Sequence, residues 1–348
     1  MTGLLETENH PTIAETYGLG GFAEAGICTA DIDRWADLLT QAGGYREVWR
    51  GESGDDLKNF YGLPATARAR ECLLANSRSA APARIADDEP TDTGFIRLFE
   101  FSGIEQQLIR PASRTWDPGG IFDLDIRVPA VLPFVDVLES RGWQGISQPV
   151  DWQFGDLQIR EWLVRGPDDV ILALIERRAP PLQGFDDLAG FSHVFNSSQI
   201  VTSMDRSVSF YQALGFRLLV DHDGPLAGRG GEVLGLPASE APDVPIRLVI
   251  MHPLGTMNGS IELVSFENAG QYATGDQLAD RAAPTNHGLN LLRFPVTDIE
   301  AYHEHIRQQP GAEPTAIAIT AIEPIGDVRM FAVTTPDGAW LEFYQPFF

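Results

Sequence analysis

The order of hydrophobic and polar residues forms one pattern that occurs in each half of the chain. The stretches GICTADIDRWADLLTQAGGYREVW, near residue 26, and SQIVTSMDRSVSFYQALGFRLLV, near residue 198, each begin with a short apolar run typical of a strand. A polar turn follows each run, and then an amphipathic helical stretch that ends at a glycine. Another apolar run comes after the glycine. Each stretch therefore predicts a strand, a helix and a second strand.

Other parts of the two halves also match each other. Gly-Leu-Pro occurs at 62–64 and again at 235–237, 173 positions later, and Pro-Asp turns occur at Pro167 and Pro336, 169 positions apart. A further strand, turn and helix pattern is shared by IFDLDIRVPAVLPFVDVLESRGW and LNLLRFPVTDIEAYHEHIRQQPG. We therefore predict an α+β protein of four βαβββ modules, two in each half. The domains are predicted at residues 19–178 and 188–348, on either side of a linker at about 176–190 that contains Pro, Asp and Gly.

Tandem modules of this kind resemble the vicinal oxygen chelate superfamily, which includes glyoxalase I, extradiol ring-cleaving dioxygenases, and bleomycin- and fosfomycin-resistance proteins. The most specific stretches are SMDRSVSFYQALGF and TPDGAWLEFYQP, and the resemblance covers the chain from about residue 19 to residue 348. It implies that modules pair and that their curled mixed sheets enclose a cleft in each half. It also implies a divalent metal, Fe, Mn, Zn or Ni, that binds two adjacent oxygens of a small organic substrate.

Charge and composition narrow the range of partners. The chain has 348 residues, with 25 Lys and Arg against 49 Asp and Glu, and its net charge is −24. Such a surface repels phosphate backbones and anionic lipid headgroups, so we expect neither a nucleic-acid partner nor a membrane partner. The acidic N-terminal sequence and the presence of only two cysteines predict a cytoplasmic protein, and a homo-oligomer is an open alternative to a monomer.

One glycine-rich stretch, at 226–235, raises the question of a nucleotide cofactor. The stretch lacks the strand and helix setting of a phosphate-binding loop and its lysine, so we predict no nucleotide cofactor. We interpret it as a mobile loop over the C-terminal cleft, because glycines lower the cost of loop rearrangement.

The resemblance also identifies the positions at which relatives bind a metal. These positions match Glu24, Asp123, Asn196 and Leu291 on the first strands of the modules, and Arg97, Ala173, Glu262 and Glu342 on the last strands. Leu291 and Ala173 offer no ligand atom, so neither half has the usual set of histidine and glutamate. In the C-terminal half, His193, His287 and Glu342 would form a two-histidine, one-carboxylate triad suited to non-haem Fe(II). Each histidine has the alternative role of a solvated or capping residue.

The N-terminal half predicts a cluster of a different kind. Glu24, Asp123 and Arg97 converge in one cleft if the two modules of this half pair. A guanidinium between two carboxylates neutralises them and takes the place that a metal ion would occupy. We favour a degenerate half that supports the other half. The alternative is an anion-binding pocket in which Arg97 contacts the substrate.

The C-terminal cleft is therefore the predicted functional site. Strand alternation places Trp340, Glu342 and Tyr344 on one face, and aromatic side chains around a carboxylate suit a flat ligand. We predict Glu342 and Glu262 as catalytic residues, and as substrate-binding residues Asn196, Leu291, Tyr344, Trp340 and Arg97.

Two functions follow from these residues. One is a glyoxalase-like or dioxygenase-like enzyme, a lyase, isomerase or ring-cleaving oxygenase that acts on a small oxygenated molecule with a divalent metal. The other is a metal-free protein that sequesters a small molecule, as bleomycin-resistance proteins do. The acids and histidines of the C-terminal half favour the enzyme, whereas Leu291 and Ala173 favour the binding protein.

Overall fold

The computed structural model describes residues 11–76, 94–182, 185 and 188–347. The predicted linker therefore lies partly outside the described residues, at 183, 184, 186 and 187. The first half contains α1 (Ile13–Tyr17), β1 (Glu24–Cys28), α2 (Ile32–Gln41), β2 (Arg46–Glu52), α3 (Asp55–Phe60), β3 (Arg68–Ala75), β4 (Phe95–Ser102), β5 (Asp123–Arg127), α4 (Leu132–Glu139), β6 (Gln144–Gly145), β7 (Val150–Phe154), β8 (Leu157–Arg165) and β9 (Ile171–Ala179).

The second half repeats this order without a counterpart of α1 and with one strand fewer in its last module. It contains β10 (Val194–Ile200), α5 (Met204–Ala213), β11 (Arg217–Gly224), α6 (Gly230–Val233), β12 (Ile246–His252), β13 (Ser260–Ser265), β14 (Gly288–Pro295), α7 (Ile299–Arg307), β15 (Ala318–Ile322), β16 (Gly326–Thr334) and β17 (Trp340–Pro346). Modules one to four begin at β1, β5, β10 and β14. Among the described residues, no helix is long and apolar enough to cross a membrane.

The strands form two curled sheets, and each sheet takes one module pair from opposite halves of the chain. The first sheet has the order β15-β16-β17-β14-β1-β4-β3-β2, and the second has the order β11-β12-β13-β10-β5-β9-β8-β6, with β7 paired to β8. Modules one and four therefore pair through β1 and β14, and modules two and three pair through β5 and β10. The expectation that the two modules within each half share a sheet is wrong. All four first strands offer an equivalent edge, so the repeat cannot tell which two will pair.

Local signals in the sequence explain where the elements begin and end. Asp31 and Asp298 cap α2 and α7 by accepting a hydrogen bond from the backbone N–H three residues later. The two Gly-Leu-Pro segments follow the short helices α3 and α6, and Gly62 and Gly235 both have a left-handed backbone, with φ of 66° and 76°. The predicted equivalence of the two segments is confirmed.

Two equivalent turns hold the sheets together. Asp168, between β8 and β9, accepts hydrogen bonds from Thr29 Oγ1 at 2.7 Å and Trp35 Nε1 at 3.1 Å, in module one. Asp337, between β16 and β17, accepts from the Thr202 backbone N–H at 3.0 Å, in module three. Each carboxylate thus connects the last hairpin of one sheet to a first strand of the other.

Apolar side chains pack between the helices and the sheets and on the concave face of each sheet. The largest cluster lies between the helices and the sheets and includes Trp35 and Tyr211. The concave face of the second sheet carries its own cluster, which includes Ile250 and Val264, and that of the first sheet carries another, which includes Leu291. The polar groups described next lie among these concave clusters.

Candidate functional site

Strand register identifies four equivalent positions at the centre of each sheet. In the first sheet, Arg293 on β14 is paired with Glu24 on β1 and with Glu342 on β17. On β4, Phe95 is paired with Glu24, and Arg97 lies two residues beyond Phe95. In the second sheet the same relations identify Asn196, Asp125, Ala173 and Glu262. The register thus replaces Leu291 by Arg293 and Asp123 by Asp125 as the central first-strand positions, two residues further along each strand.

The four positions of the first sheet form a closed ion-pair cluster, here called the arginine tetrad (Glu24, Arg97, Arg293 and Glu342). Arg97 donates from Nε and Nη2 to the two Glu24 oxygens, at 2.7 and 2.8 Å. Arg293 donates from Nη1 to Glu24 at 2.5 Å and from Nε to Glu342 at 2.8 Å. All four side chains are buried, so the charges neutralise one another inside the protein.

Neighbouring side chains complete the tetrad. Glu71 accepts from Arg97 Nη1 at 2.9 Å, and Glu342 Oε1 accepts from Tyr61 Oη at 2.8 Å and Trp340 Nε1 at 3.1 Å. Burial alone would raise the pKa of Glu24, but the charges of Arg97 and Arg293 outweigh it and lower that pKa to about 2. Glu24 is therefore ionised at neutral pH, with an arginine on each side of it.

The second sheet has a cavity of about 240 Å³ at the same place. Four carboxyl groups line it, here called the acidic floor (Asp123, Asp125, Glu161 and Glu262). Its walls are apolar and aromatic, from Phe122, Trp152, Phe154, Phe195, Leu248, Ile250 and Val264. At the positions where the first sheet has the cations Arg97 and Arg293, the second sheet has the acids Glu262 and Asp125.

Burial and mutual repulsion shift the pKa values of the acidic floor upward. Burial raises the pKa of Glu161 to about 8, with the charge of Asp125 as a second cause. Burial also raises the pKa of Asp125 to about 6, although a hydrogen bond from Asn196 opposes this rise. The pKa values of Asp123 and Glu262 are raised well above the ordinary value by burial and then by neighbouring carboxylates. At neutral pH the floor therefore contains both ionised and protonated carboxyl groups.

In Asp125, Glu161 and Glu262, one carboxyl oxygen accepts a hydrogen bond from the protein and the other accepts none from the described residues. Asn196 Nδ2 donates to Asp125 Oδ2 at 2.8 Å and to Glu262 Oε2 at 3.3 Å, and Trp152 Nε1 donates to Glu161 Oε2 at 2.9 Å. Among the described residues no donor lies within hydrogen-bonding distance of the second oxygen of these groups. The second oxygens of these groups are not fully enclosed by protein, so they are open to the cavity.

The donor sets of the two sheets do not fit the divalent metal of the resembling family. In the first sheet, guanidinium nitrogens lie against Glu24 and Glu342, where a metal ion would have to bind. In the second sheet, Ala173 and the Asn196 amide stand at central positions, and no histidine is among the described residues that line the cavity. Within the described part of the chain, no three His, Cys, Asp or Glu side chains are grouped to hold a metal ion.

The structure separates residues that the sequence placed in one cleft. Leu291, Trp340, Glu342 and Tyr344 belong to the first sheet, whereas Asn196 and Glu262 belong to the second. Arg97 pairs with Glu24 as expected, but Asp123 lies in the other sheet. The cleft expected from modules three and four is therefore divided, because these modules pair with different partners.

The expected triad of His193, His287 and Glu342 is likewise not assembled. His193 belongs to the start of the second sheet, and its Nε2 lies 3.2 Å from Asn258 Oδ1. His287 immediately precedes β14 and is six residues from Arg293, the residue level with Glu342, which amounts to about 20 Å of extended strand. The nearest acid to its Nδ1 is Asp168, at 3.9 Å.

Sequence reasoning missed Arg293, Asp125 and Glu161. Arg293 is the one charged residue of β14, GLNLLRFP, and that contrast was an available signal, whereas Asp125 lies in DLDIR beside two other charged residues and did not stand out. Glu161 lies on β8, a strand to which the family pattern assigns no ligand. From the glycine-rich stretch at 226–235, Leu234 lines the cavity of the second sheet.

Comparisons with known proteins agree with this architecture. The family model described as Glyoxalase/Bleomycin resistance protein/Dioxygenase superfamily matches residues 190–343. Glyoxalase I from Zea mays is 15% identical with a TM-score of 0.58, covering 93% of this chain and 92% of its own. A candidate dioxygenase from Bacillus subtilis is 12% identical with a TM-score of 0.54, covering 94% of this chain and 86% of its own. No curated protein matches the sequence. Residues 190–343 are therefore similar in sequence to the glyoxalase, bleomycin resistance protein and dioxygenase superfamily, and nearly the whole chain shares the fold of glyoxalase I.

Proposed function

We propose that the chain binds a small organic molecule in the cavity of the second sheet, and that the first sheet is a closed copy of the same architecture. The observation that carries this proposal is the set of cavity-facing carboxyl oxygens without a protein donor, on Asp125, Glu161 and Glu262. Buried polar groups of a folded protein are normally hydrogen-bonded, so oxygens left open at a cavity indicate a ligand that supplies the donors.

The cavity also limits the size and character of this molecule. An apolar cavity of about 150 Å³ can hold a benzene ring, so the volume of about 240 Å³ suits a molecule with one or two rings. Trp152, Phe154 and Phe195 offer ring faces to it. The ligand is therefore a small, partly aromatic or apolar molecule with O–H or N–H groups that face the acidic floor.

A fragment screen tests this function. We expect compounds of one or two rings to bind the wild-type protein in ligand-observed NMR. Val220 lines the cavity from the edge strand β11 and is half-buried, so Val220→Trp should block the cavity without removing core packing. Val220→Thr, which keeps the volume, is the matched control.

The outcomes are distinct. Binding that is lost in Val220→Trp and kept in Val220→Thr supports the cavity as the site, with circular dichroism to show that both variants are folded. Met257→Trp, from a loop that lines the same cavity, is a second blocking variant. Absence of binding at millimolar concentration, or binding that both blocking variants leave unchanged, contradicts the proposal.

A second candidate is an enzyme that transfers protons without a metal. The observation that favours it is the pair of pKa values of about 6 for Asp125 and about 8 for Glu161, which lie on either side of neutrality. At pH 7 Asp125 is then a carboxylate able to accept a proton, and Glu161 is a carboxylic acid able to donate one. Such a pair suits an isomerase or a lyase that moves a proton next to a carbonyl group.

Solvent isotope exchange separates the two candidates. For an enzyme, we expect deuterium from D₂O to enter a cavity-bound carbonyl compound, with a rate that is highest between about pH 6 and pH 8. Asp125→Asn and Glu161→Gln should each abolish the exchange. Compounds that bind the cavity but never exchange or react support the binding protein.

A further inference from the structure

Two arginines lie side by side at one end of the same cavity. Arg127 follows Asp125 on the same face of β5, and Arg177 lies on β9 two residues beyond Ile175, which is level with Arg127. Both side chains line the cavity, and each is close enough for its charge to act on the other. The cavity therefore has a cationic end next to its acidic floor.

Arg127 is held in place without a counter-ion. Its guanidinium lies over the ring of Phe195, 3.6 Å from the centroid, and its Nη1 is enclosed with no hydrogen-bond partner. Burial lowers the pKa of Arg127 to about 10, with the attraction of Asp125 opposing this shift. The side chain of Arg127 is half-buried, and an enclosed guanidinium nitrogen without an acceptor lowers stability, which suggests that a ligand supplies the acceptor.

Arg177 is half-buried, like Arg127. Its Nε donates to the Pro180 carbonyl oxygen at 3.0 Å, and no acceptor among the described residues takes up its terminal nitrogens. No carboxylate of the described chain lies within ion-pair distance of Arg127 or Arg177. The next residue, Arg178, points to the other face of β9 and pairs with Asp151 at 3.1 Å.

The excess of acidic residues in the sequence makes two arginines without an acid partner unusual. The protein carries 49 acidic residues against 25 basic ones, so an acid could easily have been placed beside these arginines. Arg110, a buried arginine that also has no acid partner in the described chain, differs from them because it donates to the backbone carbonyl oxygens of Gly119 and Asp117. Two neighbouring cations at a cavity, each without an acid, are instead the usual arrangement for binding an anionic group.

We infer that the ligand of the second cavity is a small organic anion whose carboxylate, or an equivalent anionic group, binds at Arg127 and Arg177 while an O–H or N–H group on its ring body faces the acidic floor. This inference rests on the proposed function and adds the class of ligand. Asp123, Asp125 and Arg127 lie on one face of β5, and extended strand places the first and last about 13 Å apart. That length suits a ring with a short acidic side chain.

Three probes with the same ring and side chains of different charge test the inference. Indole-3-acetate, indole-3-acetamide and tryptamine share a ring with an N–H donor and carry an anionic, a neutral and a cationic side chain. We expect isothermal titration calorimetry to show that wild-type protein binds the acetate at least tenfold more tightly than the amide or the amine. Arg177→Gln should remove this preference by weakening the acetate at least tenfold and leaving the amide unchanged.

Arg178→Gln is the matched control, because it removes an arginine from the same strand but from the opposite face. It should leave all three affinities unchanged. If the amide or the amine binds as tightly as the acetate, or if Arg177→Gln and Arg178→Gln act alike, the inference is wrong while the proposed function stands. If none of the probes binds at millimolar concentration, the inference is wrong, and the fragment screen shows separately whether the proposed function fails as well.

Discussion

Arg97 is the residue whose removal tests the closed first sheet most directly. Its guanidinium binds both oxygens of Glu24 and one oxygen of Glu71, and all three side chains are buried. Arg97→Met keeps the length of the side chain and removes its charge, so Glu71 loses its cation and Glu24 keeps only Arg293. Breaking a buried ion pair costs about 3–5 kcal/mol. We expect the free energy of unfolding to fall by that amount.

The pKa of Glu24 provides a second measure of the same interaction. Burial raises this pKa, but the two arginines outweigh it and lower the pKa from 4.5 to about 2. A difference of that size corresponds to about 3 kcal/mol of stability. Because the pKa is lower in the folded state, this stability is complete above about pH 4.5 and is lost as the pH falls toward 2. In Arg97→Met, the pKa should rise and the acid-side loss should shrink.

Urea denaturation at pH 7 and pH 4, followed by circular dichroism, measures both effects. Arg70→Met is the matched control, because Arg70 pairs with Glu100 at 2.9 Å but its side chain is 41% exposed. An exposed pair contributes about 1 kcal/mol or less, so the control should lose little. A loss below about 1 kcal/mol in Arg97→Met, or equal losses in the two variants, would refute the view that buried pairing closes the first sheet.

Three further variants test other parts of the structure. Burial raises the pKa of Glu161 to about 8, so the folded state keeps a proton that the unfolded chain loses above about pH 4.5, and stability falls as the pH rises from 4.5 to 8. Glu161→Gln should therefore gain at least about 1 kcal/mol over wild type at pH 8 and little at pH 4.5, measured by urea denaturation. Tyr61→Phe removes the hydrogen bond to Glu342 and should lose about 1.5–3 kcal/mol in the same assay. Asp337→Ala leaves the Thr202 N–H without its acceptor and should lose about 1–3 kcal/mol, seen as a lower thermal midpoint.

The modules could be predicted from the sequence because their signals are local. Caps such as Asp31 and Asp298, and turn glycines such as Gly62 and Gly235, act within a few residues of their own position. The repeat also extends to the contacts between sheets, since Thr29 and Thr202 are 173 positions apart and both bind the aspartate of a Pro-Asp turn. A duplicated sequence preserves such contacts without any knowledge of the overall topology.

Pairing between modules could not be predicted in the same way. The choice between β1–β14 and β1–β5 depends on how whole faces pack after the modules have formed, and both choices satisfy the same strand pattern. A fixed offset along each strand also assigned Leu291 and Asp123 to the central positions, whereas the strand pairing places Arg293 and Asp125 there. Residues two positions apart on one strand share a face, so strand alternation could not separate these candidates.

The central positions explain why one sheet is closed and the other is open. In the first sheet an arginine lies beside each central glutamate, so every charge of the arginine tetrad is neutralised by an adjacent position. In the second sheet the carboxylate of Asp125 occupies the position of Arg293, and the next cation on that strand, Arg127, is two residues and about 6.6 Å further along. Because of this separation, Asp125 and Arg127 line the same cavity without forming an ion pair. A fold stabilised by the closed sheet can tolerate that cost in the open one, and groups kept apart in this way remain available to a ligand.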